Sequence, residues 1–336
     1  MTISYRNPVH DGDFADPFVM PTDDGYVAIG TSGTSGTDGT SGASGASGSS
    51  GTVGSVDGRA FELLTSPDLV HWSSVGGALE PVDEALGRDY WAPEVATQDG
   101  QWFLYYSVGH GDTGHHLRVA MAGEPTGPYR DQGINLAPAE RFAIDPHPFR
   151  DKDGMWYLFY AHDVLEGERV GTMLAVDVLE SMTALRGEPT TILRPSQDWQ
   201  IFSRDREMYG EVHDWHTLEG PFVCRRGDRY YCFYSGGSWL EPNYGVAYAE
   251  AEHPLGPWHE PEGRLPLLRT VPGRVIGPGH NSVVTAPDGT DVMVYHAWDP
   301  DQVRRRLCID PIRWTADGPT VDGPSWQPRQ LGGPRS

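Results

Sequence analysis

Asp16, Asp145 and Glu219 lie far apart in the chain, yet each stands a nearly constant distance ahead of a glycine that opens an apolar run. Counting back nine residues from Gly25, Gly100, Gly154 and Gly289 lands on Asp16, Trp91, Asp145 and His280; counting back eight from Gly227 lands on Glu219. Were these positions to meet, the carboxylates could divide acid and base work. One would be ionised to take a proton, and another would be held neutral near pH 7 by like-charge repulsion. A nearby arginine lowers the pKa of whichever carboxylate it pairs with. Spacing leaves open which acid takes which part. Turn chemistry explains Asp-Pro at Asp16 or Asp145 singly, because the residue before proline is pushed to extended conformations and Asp caps turns. It does not explain Glu-Gly-Pro and Gly-His-Asn at the same phase.

The elements that must bring these residues together form a repeat. Five segments carry a glycine followed by an apolar strand: "DDGYVAIGTS", "DGQWFLYYSVG", "DGMWYLFYAHD", "RGDRYYCFYSGGSW" and "DGTDVMVYHAWD". Their glycines are, by subtraction, 75, 54, 73 and 62 residues apart. A short extended run precedes each glycine and a further strand follows each hairpin, as in "RAFELLTS", "GTMLAVDVLES" and "RRLCIDPIRW". The run "MWYLFY" is apolar at successive positions, so both faces of that strand should be buried. Strands this regular, with hardly a convincing amphipathic helix, predict an all-β chain built from sheets of about four strands. A single-domain five-bladed β-propeller fits, with the catalytic domain over residues 1–320 and a C-terminal tail over 321–336. The first strand of each blade lines the channel of such a propeller, so Asp16, Asp145 and Glu219 should converge on one axis.

Composition narrows the partners. The 336-residue chain has 25 Lys plus Arg against 47 Asp plus Glu, a formal charge of −22. That charge repels nucleic acid and anionic lipid surfaces, although solubility is reason enough for it. Cys224, Cys232 and Cys308 form no CxxC pair and read as reduced thiols. The opening "MTISYRNPVHDGDFADPF" carries no secretory signal, and the expected location is the cytoplasm. The Gly/Ser/Thr tract from Thr31 to Gly58 cannot bury apolar surface. Too few residues precede it for a domain, so it reads as a long flexible surface loop.

"GDFADPF", "YWAPEV", "AIDPHPF", "LEGPFV" and "GPGHNSVV", in that order, resemble glycoside hydrolase family 43, the arabinofuranosidase, xylosidase and arabinanase family of five-bladed propellers. The resemblance covers roughly residues 5–315. It implies that Asp16 is the general base, Glu219 the general acid, and Asp145 the carboxylate that orients Glu219 and sets its pKa. It also implies that Arg305 touches the sugar and the third carboxylate, with Arg304 and Arg306 as neighbours that could hold the same place. Trp91 matches an aromatic at the −1 sugar, and His280 a channel histidine that in many members faces a calcium ion or water cluster. No cofactor is required by this chemistry. A hydrogen-bonded His280 without a metal is the preferred reading, because no His/Asp/Glu cluster shows ligand spacing; a structural Ca²⁺ in the channel, held directly or through water, is the alternative. Glu94 reads as a structural hydrogen-bonding group.

The expected function is inverting exo-hydrolysis of terminal sugars, α-L-arabinofuranosyl first, from small oligosaccharides; β-D-xylosidase and β-D-galactofuranosidase activities are alternatives on the same scaffold. A non-catalytic carbohydrate-binding propeller is the reading from another class, and a lectin needs no protonated acid opposite a base. The related retaining fructosidases carry "NDPNG" and "EC", where this chain reads "ADPFV" and "EGPFV".

Overall fold

The computed structural model describes residues 2–32, 55–263 and 266–332. Its strands assemble into five blades of antiparallel strands, and a short parallel pairing of Gly171 and Thr172 with His216 and Thr217 joins blades three and four. Blade one comprises Ala15–Thr22, Gly25–Thr31, Arg59–Ser66 and Ser73–Leu79. Blade two comprises Asp89–Gln98, Gln101–His110, Thr113–Ala122 and Arg130–Asn135. Blade three runs through Ala143–Arg150, Trp156–Val164 and Gly171–Ser181, with Thr190–Leu193 at its edge. Blade four is Glu211–Arg226, Arg229–Gly236, Gly245–Ala251 and Leu268–Arg269. Blade five is Ile276–Thr285, Asp291–Trp298, Arg305–Thr315 and Gly318–Val321. Among the described residues the only helices are two short 3₁₀ turns, Glu84–Leu86 and Asp198–Gln200, and no helix is long and apolar enough to cross a membrane.

The doubly apolar strands have a simple cause. Side chains alternate across a strand, and each blade is sandwiched between two others. Tyr157 and Phe159 pack against blade four residues such as Val223 and Tyr234, whereas Leu158 and Tyr160 pack against blade two residues such as Tyr105 and Val119. Similar clusters join blades one and two, four and five, and five and one. The last of these closes the ring. Truncating a buried Phe159 would cost about 3–5 kcal/mol.

Closure also uses the chain termini. Val9 and Phe14 donate backbone hydrogen bonds to Leu307 and Arg305 of blade five, and the Asn7 amide both donates to and accepts from Ile309. The segment read as a C-terminal tail carries Arg329–Leu331, which pairs with Ile3–Tyr5, and Leu331 is buried. It is therefore part of the closure. Of the Gly/Ser tract, Thr31 ends a strand and Ser55–Val56 pairs with Arg59 and Ala60; residues 33–54 lie outside the described residues.

Each innermost strand breaks its ladder at an equivalent residue with left-handed backbone: Asp16 (φ 49°), Ala92 (47°), Asp145 (58°), Gly220 (56°) and His280 (48°), and the strand of blade five does so a second time at Gly277 (53°). The register slips at each of these places. A bulge re-aims a side chain and leaves an N–H without its strand partner, and a buried N–H must find another. The neighbouring blade supplies it. Asp16 N–H donates to His296 Nδ1, Ala92 N–H to Thr31 Oγ1, Gly220 N–H to Asp145 Oδ2 and His280 N–H to Ser235 Oγ.

Candidate active site

The bulges define the equivalence that glycine counting approximated. Asp16, Asp145 and His280 are bulge residues, but Trp91 and Glu219 each sit one position earlier, before Ala92 and Gly220. The expected single phase is therefore two adjacent phases. The five segments nonetheless bring the expected residues to one end of the channel.

Asp16 is buried, and Arg305 Nη1 donates to its Oδ1 over 3.1 Å. Burial opposes ionisation, yet the guanidinium holds this carboxyl well below the usual range. His296 Nδ1 accepts the Asp16 N–H at 3.1 Å, so that nitrogen carries no proton for the carboxylate. Burial lowers the His296 pKa to about 4, which keeps the ring neutral. Arg305 therefore pairs with the proposed base, where the resemblance implied the third carboxylate. The neighbours are otherwise engaged: Arg304 reaches Asp299 at 3.4 Å and Arg306 reaches Asp11 at 2.8 Å.

Asp145 accepts the Gly220 N–H at 2.8 Å and so fixes the backbone immediately after Glu219. Burial, then the charges of Glu219 and Asp16, push its pKa well up. His280 stands between the two aspartates, with Nδ1 at 3.4 Å from Asp16 Oδ1 and 4.0 Å from Asp145 Oδ2. Burial lowers its pKa, so the ring tends to be neutral. Among the described residues no group of three or more His, Cys, Asp or Glu side chains is arranged to hold a metal ion, and Asp16 Oδ1 is already engaged by Arg305. The residues present thus do not fit a directly ligated calcium at His280.

Glu219 lines a cavity of about 80 Å³ together with Trp91, Trp215 and Trp239. Burial raises its pKa to about 7, against the opposing hydrogen bond from Tyr244. Its carboxyl is thus about half protonated at neutrality and largely so below it, while Asp16 is ionised. Trp91 lies flat on His115, with ring centroids 3.7 Å apart, which holds its plane at the cavity wall. Glu94 accepts from His147 at 2.6 Å, and His147 Nε2 accepts the Val223 N–H; this links blades two, three and four.

Several site residues carry no signal at the spacing examined in the sequence. Tyr244 donates to Glu219 Oε1 at 2.6 Å. Trp239 stacks on Trp298 and receives the Arg305 guanidinium on its face at 4.7 Å. Asp163 and Arg206 also line the cavity. The segment "SRDREMYGEVHDWHT" proves to be a hairpin, Ile201–Met208 returning as the start of Glu211–Arg226. Tyr209 and Gly210 at its tip both have positive φ, as a tight type I′ turn requires. Tyr209 Oη donates to Asp163 at 2.7 Å, and Arg206 pairs with Asp112, so the hairpin reaches from blade four to blades three and two across the cavity.

The sequence model described as glycosyl hydrolases family 43 matches residues 5–320. A β-D-galactofuranosidase (xynD) of Aspergillus niger is 30% identical over 280 residues, 77% of this chain and 72% of that protein. An extracellular exo-α-(1→5)-L-arabinofuranosidase of Streptomyces avermitilis is 26% identical over 287 residues, 78% of this chain and 55% of that protein. This chain thus spans about half the length of the latter relative. The crystal structure of a thermostable family-43 glycoside hydrolase aligns with a TM-score of 0.79 at 30% identity, covering 99% of both chains.

Proposed function

The chain belongs to family 43 of the glycosyl hydrolases, and from that premise we propose that it is an inverting, exo-acting enzyme that releases terminal α-L-arabinofuranosyl residues from oligosaccharides. The observation that carries this reading is the contrast between two buried carboxyls: Asp16 ionised against Arg305, and Glu219 with its pKa lifted to about 7 at the cavity wall.

In the proposed reaction Asp16 takes a proton from water as the water oxygen bonds to the anomeric carbon. Glu219 delivers its proton to the glycosidic oxygen as that oxygen leaves. The proton gained by Asp16 and that lost by Glu219 are exchanged with solvent after product release. Asp145 acts through the Gly220 N–H, holding the acid's backbone in place. A purely sugar-binding propeller would have no use for this division of protonation states.

The hairpin supports exo action: its Phe202, Arg206 and Met208 line the cavity that Glu219 lines, and Tyr209 and Arg206 latch it to Asp163 and Asp112, so that it walls the site on one side.

A second reading, β-D-galactofuranosidase, is favoured by the Aspergillus niger relative; that sugar differs by a longer exocyclic arm. A panel of 4-nitrophenyl α-L-arabinofuranoside, β-D-galactofuranoside and β-D-xylopyranoside separates these readings. The highest kcat/KM is expected on the arabinofuranoside, and a clear preference for either other sugar would replace the assignment.

A further inference from the structure

Tyr244 is fully buried beside the acid, and its placement depends on a residue that has no side chain. A Cβ built on Gly279 would lie 1.9 Å from the Tyr244 ring, so blade five can accept the ring only where glycine stands. The ring stacks on His296 at an interplanar angle of 8°. Its hydroxyl donates to Glu219 Oε1 at 2.6 Å. Ser235, whose Oγ accepts the His280 N–H at 2.7 Å, in turn hydrogen-bonds the Tyr244 oxygen. The result is a directed chain from the blade-five backbone through Ser235 and Tyr244 to one oxygen of Glu219. Such chains polarise each member and strengthen the last bond.

We propose that Tyr244 is a positioning residue that pins Oε1 of Glu219 and thereby selects Oε2 as the oxygen that carries the proton to the leaving group. An oxygen that accepts a short hydrogen bond at 2.6 Å is the poorer place for the proton, which leaves the proton to the other oxygen of a carboxyl that lines the cavity. Burial and the neighbouring carboxylates keep Tyr244 a phenol, so it acts as a donor throughout the working pH range. The inference rests on Glu219 being the acid. The charged and titratable groups facing Glu219 are Tyr244 from blade four, Asp16 from blade one, Arg305 from blade five and Asp145 from blade three. His280 and His296 lie beyond them, with pKa values lowered by burial.

The test compares Tyr244→Phe and Ser235→Ala with the unaltered enzyme, using pH profiles of kcat/KM on an unactivated disaccharide and on a 4-nitrophenyl glycoside. A hydrogen bond donated to a carboxylate favours its ionised form, so losing it raises the acid's pKa. The high-pH limb should move up by about one unit in Tyr244→Phe, and in the same direction but less in Ser235→Ala. The rate on the disaccharide at neutral pH should fall about tenfold, with a smaller fall on the aryl substrate. A limb that stays in place or moves down, with both substrates slowed equally, would overturn the proposal. If Tyr244→Phe does not fold, Ser235→Ala carries the test on the same criteria. Glu219→Ala separates the two levels: if it shows no leaving-group dependence, the acid assignment has failed; if it does and the limb is unmoved, only the role of Tyr244 has.

Discussion

Arg305 Nη1 lies 3.1 Å from Oδ1 of Asp16 inside the ring, where burial would otherwise drive that carboxyl to its neutral form. The pair is what keeps a base ionised a short distance from an acid that must stay protonated. A group whose pKa is depressed in the native enzyme contributes its ionised form above that pKa and loses it as pH falls through it. Replacing Arg305 with Met should therefore raise the Asp16 pKa and move the low-pH limb of kcat/KM upward by about one unit or more. Arg305→Lys, which keeps the charge, should move it less. Profiles measured on a 4-nitrophenyl glycoside decide the matter, and an unmoved limb in Arg305→Met would separate the arginine from the base.

The two proposed catalytic carboxyls should fail differently. Glu219→Ala should cripple substrates with poor leaving groups by roughly 10²–10⁴-fold and spare activated aryl glycosides, which need little proton assistance. Asp16→Ala should damage both classes alike, because every substrate needs the attacking water. Steady-state kinetics across leaving groups of graded pKa give the comparison; a steep dependence in Asp16→Ala would reverse the assignment.

Tyr209 fastens the hairpin tip to Asp163 through one hydrogen bond of 2.7 Å. Breaking it in Tyr209→Phe removes about 0.5–1.5 kcal/mol of latch energy and should raise KM severalfold with kcat little changed. Replacing residues 203–213 by a two-residue turn should go further and allow cleavage within a chain. Chromatography of products from an α-1,5-linked oligosaccharide reads this directly: monosaccharide alone from the shortened enzyme would show that the hairpin does not set exo action.

Three acids, a tryptophan and a histidine could be picked out of the chain because blade repetition places them near the same turn of each innermost strand; Arg305 opens the third strand of blade five and was legible only through the family resemblance. Their phase could not be counted from the hairpin glycines, because the distance from glycine to bulge varies with hairpin length. The better ruler is the residue after the bulge: Pro17, Pro93, Pro146, Pro221 and Asn281. Measured from there, Glu219 and Trp91 fall one place ahead of Asp16 and Asp145. Tyr244, His296 and Gly279 were invisible for another reason. Tyr244 and His296 come from other parts of their blades and meet Glu219 and Asp16 only when blades four, five and one pack together. The closing role of Arg329–Leu331 depends on a partner strand at the opposite end of the chain, which no local pattern announces.

Turnover should survive exhaustive dialysis against a chelator, because the residues around His280 do not form a ligand set and Asp16 is already held by Arg305. Activity lost on dialysis and restored by calcium, followed with the same aryl substrate, would require an ion in the channel.

The central claim is that Asp16 activates water directly and never bonds to the sugar. Proton NMR of the first-formed product, recorded before mutarotation, tests it. The account predicts the anomer opposite to that of the substrate, as expected for a carboxyl pair roughly 6.5–9.5 Å apart with water between them. A first-formed product with the substrate's own anomeric configuration would contradict it and make Asp16 a nucleophile.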